Sequence, residues 1–422
     1  MGIAKSLLCF LSDLSHMQTT TRRPVAIRQP FSQLRDTSAE GQRSEGYIYT
    51  LSEIWQQPEL WRETAQRVID AREVWQPLVA RAKAILLTGS GSSYFVGKCI
   101  AAALQESTLL PVAAVESGEV LMLGKGALPP TRPLLVVSFA RSGDSPESAG
   151  LVQQLLDEEP AVNHLVITCN PQGRLARNWG AGQDSRVRVL VLDERSCDQS
   201  LVMTSSFTSM AVAGLGVGYS TPPYSSYLSA VETLSSSVGE FLANGLGPLE
   251  GFPWDGSDRM LCIGNGATLG AAWEVGLKML EMTAGRVMTR AEGCLGLRHG
   301  PMCALTESCM LFAVLSSHPM RRGYQIDLLT EINAKRLAGG KIIVGGEVPA
   351  DVLSPGDVAL ELPALRDLGD EWVALAGVVA GQLLAFLRCR AEGLQPDQPV
   401  SGDSISRVVG GFTLYSLGAG VS

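Results

Sequence analysis

The sequence predicts an α/β protein made of two similar halves, each a parallel sheet flanked by helices. Two observations carry that expectation. A strand, glycine-loop, helix unit occurs twice, and apolar strand-like runs alternate with helical stretches on both sides of a Gly/Pro/Ser-rich connection. In the first unit an apolar run at 84–87 leads into Gly89-Ser90-Gly91-Ser92-Ser93. In the second, a run at 260–263 leads into Gly264-Asn265-Gly266-Ala267-Thr268. Right-handed crossovers between parallel strands put helices on both faces of each sheet.

The chain ahead of the first unit divides in two. Residues 18–45 have few apolar anchors, so 1–48 is expected to be a mobile arm, with Met17 an alternative start. The first ten residues imitate a signal peptide, but Lys5 and Ser6 interrupt the apolar stretch and Asp13 follows. Apolar positions Ile54, Leu60, Trp61 and Val68 suggest a pair of short helices over 49–72.

Strands are then expected at 84–87, 134–138, 165–169 and 187–192, with helices after Ser93, after Pro146 and from Met203. Together 49–220 make the first domain. Residues 221–257, with a helical stretch near 227–242, form the connection. The second domain, 258–395, has strands at 260–263, 310–315 and 341–344 and helices around 269–284, 323–338 and 371–390, leaving 396–422 as a tail. The last helix is apolar all round, as a core or dimer helix is. No apolar run reads as the roughly 18-residue membrane span.

Bulk properties narrow the function. At 422 residues and 45% hydrophobic, the chain can bury two ordinary cores. A net charge of −8 argues against a nucleic-acid surface, which needs clustered Lys and Arg. Nine cysteines without a CxxC pair read as reduced thiols in a cytoplasmic protein, and four histidines, His16, His164, His299 and His318, make no metal site. No metal is called for.

The two glycine loops differ in a way that matters. A glycine turn at the carboxyl end of a strand opens a helix whose free amides attract anions, and the hydroxyls of Ser90, Ser92 and Ser93 add donors. Alone, the loop is equally a tight turn with a serine cap. A second hydroxyl-rich loop, Ser138-Phe139-Ala140-Arg141-Ser142-Gly143-Asp144-Ser145, follows the next strand, at the sheet edge where ligands of parallel α/β proteins collect. Neither loop has dinucleotide or Walker spacing, which leaves a small phosphate monoester. After a further strand come Asp193-Glu194-Arg195-Ser196-Cys197-Asp198 and Met203-Thr204-Ser205-Ser206-Phe207. This segment is either a charged turn with a cap or a third wall, in which Thr204 and Ser205 reach the ligand.

In the second half Glu274, Lys278 and Glu281 share one helix face at i, i+4 and i+7, which alone is what a solvated ion-pair stripe shows. His299, held in a Gly-Pro turn within Leu295-Gly296-Leu297-Arg298-His299-Gly300-Pro301, is a candidate acid/base group.

These phrases together resemble the sugar isomerase (SIS) superfamily over nearly the whole chain from Tyr49, and more narrowly the AgaS-type galactosamine-6-phosphate deaminase/isomerases. The resemblance implies two tandem SIS domains, each a five-stranded parallel sheet between helices in three α/β/α layers. It also implies a homo-oligomer, a dimer or higher, with active sites between subunits. It puts Ser92, Ser93, Ser142 and Ser145 on phosphate-binding positions, Glu281 on the proton-transfer carboxylate and His299 on the ring-opening histidine. Two departures stand out against the isomerase half of glucosamine-6-phosphate synthase, which the chain resembles at greater distance. Ala140 replaces a loop serine, and Ser205 replaces a lysine. The synthase's tail lysine is absent too, Arg407 being the tail's cation.

The reaction so implied is the conversion of galactosamine 6-phosphate and water to tagatose 6-phosphate and ammonium, with no cofactor, nucleic acid or membrane involved. Plain ketose/aldose isomerisation, or glucosamine 6-phosphate as substrate, is the nearest alternative. A sugar-phosphate sensor is the alternative of another class.

Overall fold

The computed structural model describes residues 29–219, 223–252, 257–402, 404–411 and 413–415, in which two parallel five-stranded sheets lie in one continuous packing arrangement. The expectations for the chain start and Met17 fall outside these residues. Residues 31–44, assigned above to a mobile arm, instead form helices α1 (Phe31–Asp36) and α2 (Ala39–Ser44). Phe31 and Leu34 provide the anchors, buried against Trp55 and Phe386 and the adjacent core. Helices α3 (Ile48–Trp55), α4 (Gln57–Asp70) and α5 (Arg72–Arg81) follow, the first two matching the expected pair.

The first sheet is built from β1 (Ala84–Gly89), β2 (Val112–Glu116), β3 (Leu134–Ala140), β4 (Val162–Thr168) and β5 (Val187–Val191), in the order β2-β1-β3-β4-β5. Its connections run through α6 (Ser92–Thr108), α7 (Ser117–Leu123), α8 (Pro146–Glu158) and α9 (Arg174–Trp179). After β5 comes α10 (Ser205–Gly218), then α11 (Ser225–Asn244) and α12 (Gly247–Glu250). The second sheet contains β6 (Arg259–Gly264), β7 (Met288–Gly293), β8 (Cys309–Val314), β9 (Gly340–Gly345) and β10 (Val358–Glu361), in the order β10-β9-β8-β6-β7. Helices α13 (Ala267–Met282), α14 (Cys294–Leu297), α15 (Pro319–Ala334) and α16 (Asp370–Ala391) complete it. The sheets share one topology.

Strands β2, β7 and β10 were not legible as apolar runs. Each is an edge strand: β2 is only half-buried, β7 carries Thr289, Arg290 and Glu292, and β10 has four residues. An edge strand meets protein on fewer sides, so burial does not force the continuous apolar sequence seen in β1 and β8.

The repeat extends to backbone angles. Gly91 and Gly266, ahead of α6 and α13, have φ/ψ of 54°/−124° and 55°/−123°. A Cβ disfavours that region, so each loop needs glycine there. The two repeated helices pack directly on each other, and at Gly270 they come close enough that a Cβ would lie 2.7 Å from the backbone nitrogen of Cys99. α16, the apolar helix of ambiguous role, lies along α13 with nearly every residue buried, Gly381 meeting Val275. Contrary to the expectation that no run reaches a membrane span, it is long and apolar enough to cross one by length and composition, but here protein covers it throughout.

Gly270→Val should therefore push α6 from α13 and cost about 2 kcal/mol in urea unfolding. A variant as stable as wild type would show that the crossing tolerates separation.

Candidate active site

The serine loops converge at the carboxyl edge of the first sheet, where β1 and β3 lie side by side. They enclose a pocket of about 110 Å³ whose walls include Ser90, Ser93, Arg141, Ser142, Ser145 and Arg407. The Ser90 and Ser117 hydroxyls stand 2.5 Å apart, and Ser145 Oγ lies 3.0 Å from Ser148 Oγ. The Ser142 loop is buttressed from β4's end, where Asn170 Nδ2 donates to the Ser142 carbonyl at 2.9 Å. Ser92 turns away from the pocket, and its hydroxyl accepts from Lys278 Nζ at 3.1 Å.

Two guanidinium groups sit in the pocket wall. Arg141, buried, donates to the carbonyls of Ser200 (3.3 Å), Leu201 (3.0 Å) and Arg407 (2.7 Å). Arg407 donates through Nε to the Asp198 carbonyl at 2.8 Å. Among the described residues neither is in ion-pair contact with a carboxylate. Burial pulls the Arg141 guanidinium below its ordinary value, opposed by Asp198 and reinforced by Arg407. The pocket thus offers hydroxyl donors beside two cations, an arrangement suited to a phosphate.

The third predicted wall is arranged differently. Thr204 and Ser205 are fully buried and do not face the pocket. Their hydroxyls donate to Asp198 at 3.1 and 2.5 Å, and the carboxylate also accepts from the amides of Thr204 (2.7 Å), Ser205 (3.0 Å) and Ser206 (2.9 Å). Asp198 thus caps α10, consuming the hydroxyls read as ligand-binding. An acid a few residues ahead of Thr-Ser-Ser is the signal that could have identified this cap. Met203 and the tail residues Val408 and Val409 supply the wall instead.

The polar face of α13 is buried, not solvated. Glu274 is 0% and Lys278 1% exposed, because α6 covers them. Lys278 Nζ lies 2.5 Å from Glu281 Oε2 and 3.4 Å from Glu274 Oε1 while reaching Ser92 in the other half. Burial pulls the Lys278 ammonium down, but the two carboxylates outweigh it and hold it above its ordinary value. Burial pushes the Glu274 carboxyl up to about 7, opposed by Lys278 and, more weakly, by the Ser92 hydroxyl. Glu281 is a quarter exposed at its side chain and near enough for its charge to act on Arg141.

His299 is exposed, in the turn before a short 3-10 helix at Pro301–Ala304, with Gly300 at φ 132°. It does not line the pocket and bonds to none of its residues. The predicted residues are therefore spread within one chain: Ser90, Ser93, Arg141, Ser142 and Ser145 line the pocket, Ser92 joins Glu281 through Lys278, Thr204 and Ser205 are held by Asp198, and His299 stands apart.

The corresponding edge of the second half is arranged differently. At the corresponding edge of the second sheet a cavity of about 540 Å³ is bordered by Glu106, Ser317, His318, Arg321 and Asp370. Glu106 and Glu281 each lie fifteen residues beyond their loop glycine. There the Asp370 carboxylate itself accepts from Ser316 Oγ (2.7 Å), Ser317 N (2.9 Å) and Arg321 Nη1 (2.8 Å). Those donors are already occupied by an internal anion. Among the described residues, no three His, Cys, Asp or Glu side chains gather as a metal would need.

Lys278→Met leaves two carboxylates without their cation and should cost about 3 kcal/mol near pH 8. The Glu274 carboxyl, already raised by burial, loses the cation that opposes the rise, so the stability it contributes is lost as pH rises through its folded value. The loss, measured by denaturant unfolding, should shrink at pH 5; an equal loss at both pH values would contradict this.

The family model described as the SIS domain matches residues 78–213, the half that holds the pocket. An AgaS protein of Streptomyces coelicolor is 38% identical over 391 residues, covering 88% of this chain and 96% of that protein. The D-galactosamine-6-phosphate deaminase AgaS of Shewanella sp. is 31% identical, with coverages of 90% and 94%. The crystal structure of tagatose-6-phosphate ketose/aldose isomerase from Escherichia coli superposes with a TM-score of 0.79 at 29% identity, covering 88% of this chain and 97% of that one. With the repeated five-stranded sheets and a serine-lined sheet edge, likeness over this length makes the chain a member of the AgaS family of tandem SIS-domain proteins.

Proposed function

We propose that this chain converts galactosamine 6-phosphate and water to tagatose 6-phosphate and ammonium. The observation that carries the reading is Lys278, whose ammonium bonds both Ser92, at the start of the serine-loop helix, and Glu281. It ties a proton-transfer carboxylate in one half to the first turn of the helix that follows the other half's serine loop. Relatives over nearly full length that are named for this deamination support the same assignment.

Phosphate binds among Ser90, Ser93, Ser142 and Ser145 beside Arg141 and Arg407, and its binding energy orients the sugar. His299 moves a proton from the anomeric hydroxyl to the ring oxygen, opening the ring. Glu281 then takes the proton from carbon 2 and returns one to carbon 1. The carbon 1 oxygen gains a proton as the nitrogen gives one up, so the double bond moves from the carbon 1 carbonyl to carbon 2 and its nitrogen, and water hydrolyses that ketimine to the ketone and ammonium. Lys278, paired with Glu281, holds that side chain in place for the transfer.

His299 is exposed and away from this chain's pocket, which supports an oligomer in which it serves the site of a neighbouring copy. Such sharing needs a dimer or larger assembly. The buried thiols of Cys99, Cys169 and Cys262 suit a reducing cytoplasm.

Glu281→Gln should lower turnover about a thousandfold while leaving phosphosugar binding nearly intact. Ammonium and ketose phosphate, measured with galactosamine 6-phosphate and glucosamine 6-phosphate, test the reaction and its substrate together. No ammonium from either amino sugar, with ketose formed from the corresponding neutral aldose phosphate, would favour plain isomerisation, the activity for which the Escherichia coli protein is named. Mixing inactive Glu281→Gln and His299→Ala proteins under subunit exchange should restore part of the activity. No recovery despite mixed oligomers would overturn shared sites.

A further inference from the structure

Glu53 lies outside both sheets, on α3, and is 5% exposed. Its Oε1 accepts from the amides of Gln199 (2.5 Å) and Ser200 (3.2 Å), and its Oε2 stands 2.5 Å from Ser200 Oγ. Ser200 Oγ is also 3.1 Å from the Val202 carbonyl. A hydroxyl has one proton to give, and the Val202 carbonyl can only accept. Both contacts are satisfied when Glu53 carries the proton, donates it to Ser200 Oγ, and Ser200 donates onward to Val202. The neighbouring Asp198 is the opposite case, its carboxyl oxygens surrounded by amide and hydroxyl donors.

The segment held between these two acids is the one that positions the pocket's cations. Its carbonyls at Ser200 and Leu201 receive Arg141, and its carbonyl at Asp198 receives Arg407. Met203, two residues beyond Leu201, is itself part of the pocket wall. The charged and titratable groups around Glu53 are Asp198 and Cys197 in this segment, Arg141 from the β3 loop, and Arg407 and Asp397 from the tail. Arg195 lies on the side of Gln56.

We propose that Glu53 is a positioning residue whose bound proton keeps residues 197–206, and through them Arg141 and Arg407, in the phosphate-binding arrangement. This rests on the pocket's being the phosphate site, as assigned above. Burial, and next Asp198, push the Glu53 carboxyl up to about 8. The group is therefore neutral at pH 7 and loses its proton in mild alkali. A second negative charge then faces Asp198, the Oε2 donor is lost, and the segment opens.

The test uses full-length protein and tagatose 6-phosphate, which has no group titrating above pH 7.5, with binding measured by calorimetry. Wild type should bind about tenfold more weakly at pH 9 than at pH 7, because only the protonated fraction is competent. Glu53→Gln, whose amide can donate to Ser200 while its oxygen accepts the same amides, should bind like wild type at pH 7 and keep that affinity at pH 9. An equal alkaline loss in both proteins, or none in wild type, overturns the proposal. Absence of binding by wild type at pH 7 overturns the pocket assignment, and the role of Glu53 falls with it. Amide exchange over 197–206, corrected for intrinsic rates, should rise in wild type between pH 7 and pH 9. Unchanged protection there contradicts the opening even if the Gln variant fails to fold.

Discussion

The buried ammonium of Lys278 is the contact on which the rest of the arrangement depends. A charge this deep survives only with partners, and its partners come from both halves: Glu274 and Glu281 on its own helix, Ser92 on the repeated one. Satisfying it fixes how α6 lies on α13. That crossing is possible because Gly270 lets the backbones approach. It also aligns the start of the serine-loop helix with the carboxylate of the other domain.

The duplicated fold supplies two equivalent sheet edges, yet the same kinds of group are used differently at each. In the second half a carboxylate, Asp370, is bound by the loop's own serines and Arg321. In the first half the matching edge keeps Ser90, Ser93, Ser142 and Ser145 around an open pocket beside two arginines bonded only to carbonyls and a thiol. Its own internal carboxylate, Asp198, is spent one layer deeper on the cap of α10. The difference between domains is one of placement of anions: internal and local in one, left for a ligand in the other.

A polar chain through the centre couples the N-terminal helices to both halves. Thr208 Oγ1 donates to Gln57 Oε1 at 2.7 Å, Gln57 Nε2 to Gln382 Oε1 at 2.8 Å, and Gln382 Nε2 to the Thr204 carbonyl at 3.2 Å. Farther out, Asp397 of the tail accepts from Thr50 N and Oγ1 on α3, and its carbonyl receives the Leu201 amide. The helices ahead of the first sheet and the segment after the second therefore meet at the loop beside the pocket. Completely satisfied buried networks of this kind specify a single arrangement.

The sequence by itself determined the two-sheet architecture, the duplicated glycine loops and the serine-rich edge. Central strands need continuous apolar runs, and the loop's backbone angles need glycine, so both leave local traces in the residues. Glu281 and His299 it offered as candidates only, through the motifs that carry the resemblance. The edge strands left weaker traces, since half-exposed β2, β7 and β10 are not forced to be apolar. Only the tertiary structure decided which hydroxyls are available. Thr204 and Ser205 read as ligand donors until Asp198 is seen to hold them, and Glu274 and Lys278 read as a solvated stripe until α6 covers them. Arg407, far along the chain, enters the pocket wall only when the tail folds back. Hydrogen bonding and burial are settled between residues hundreds of positions apart, and local sequence does not record who those partners are.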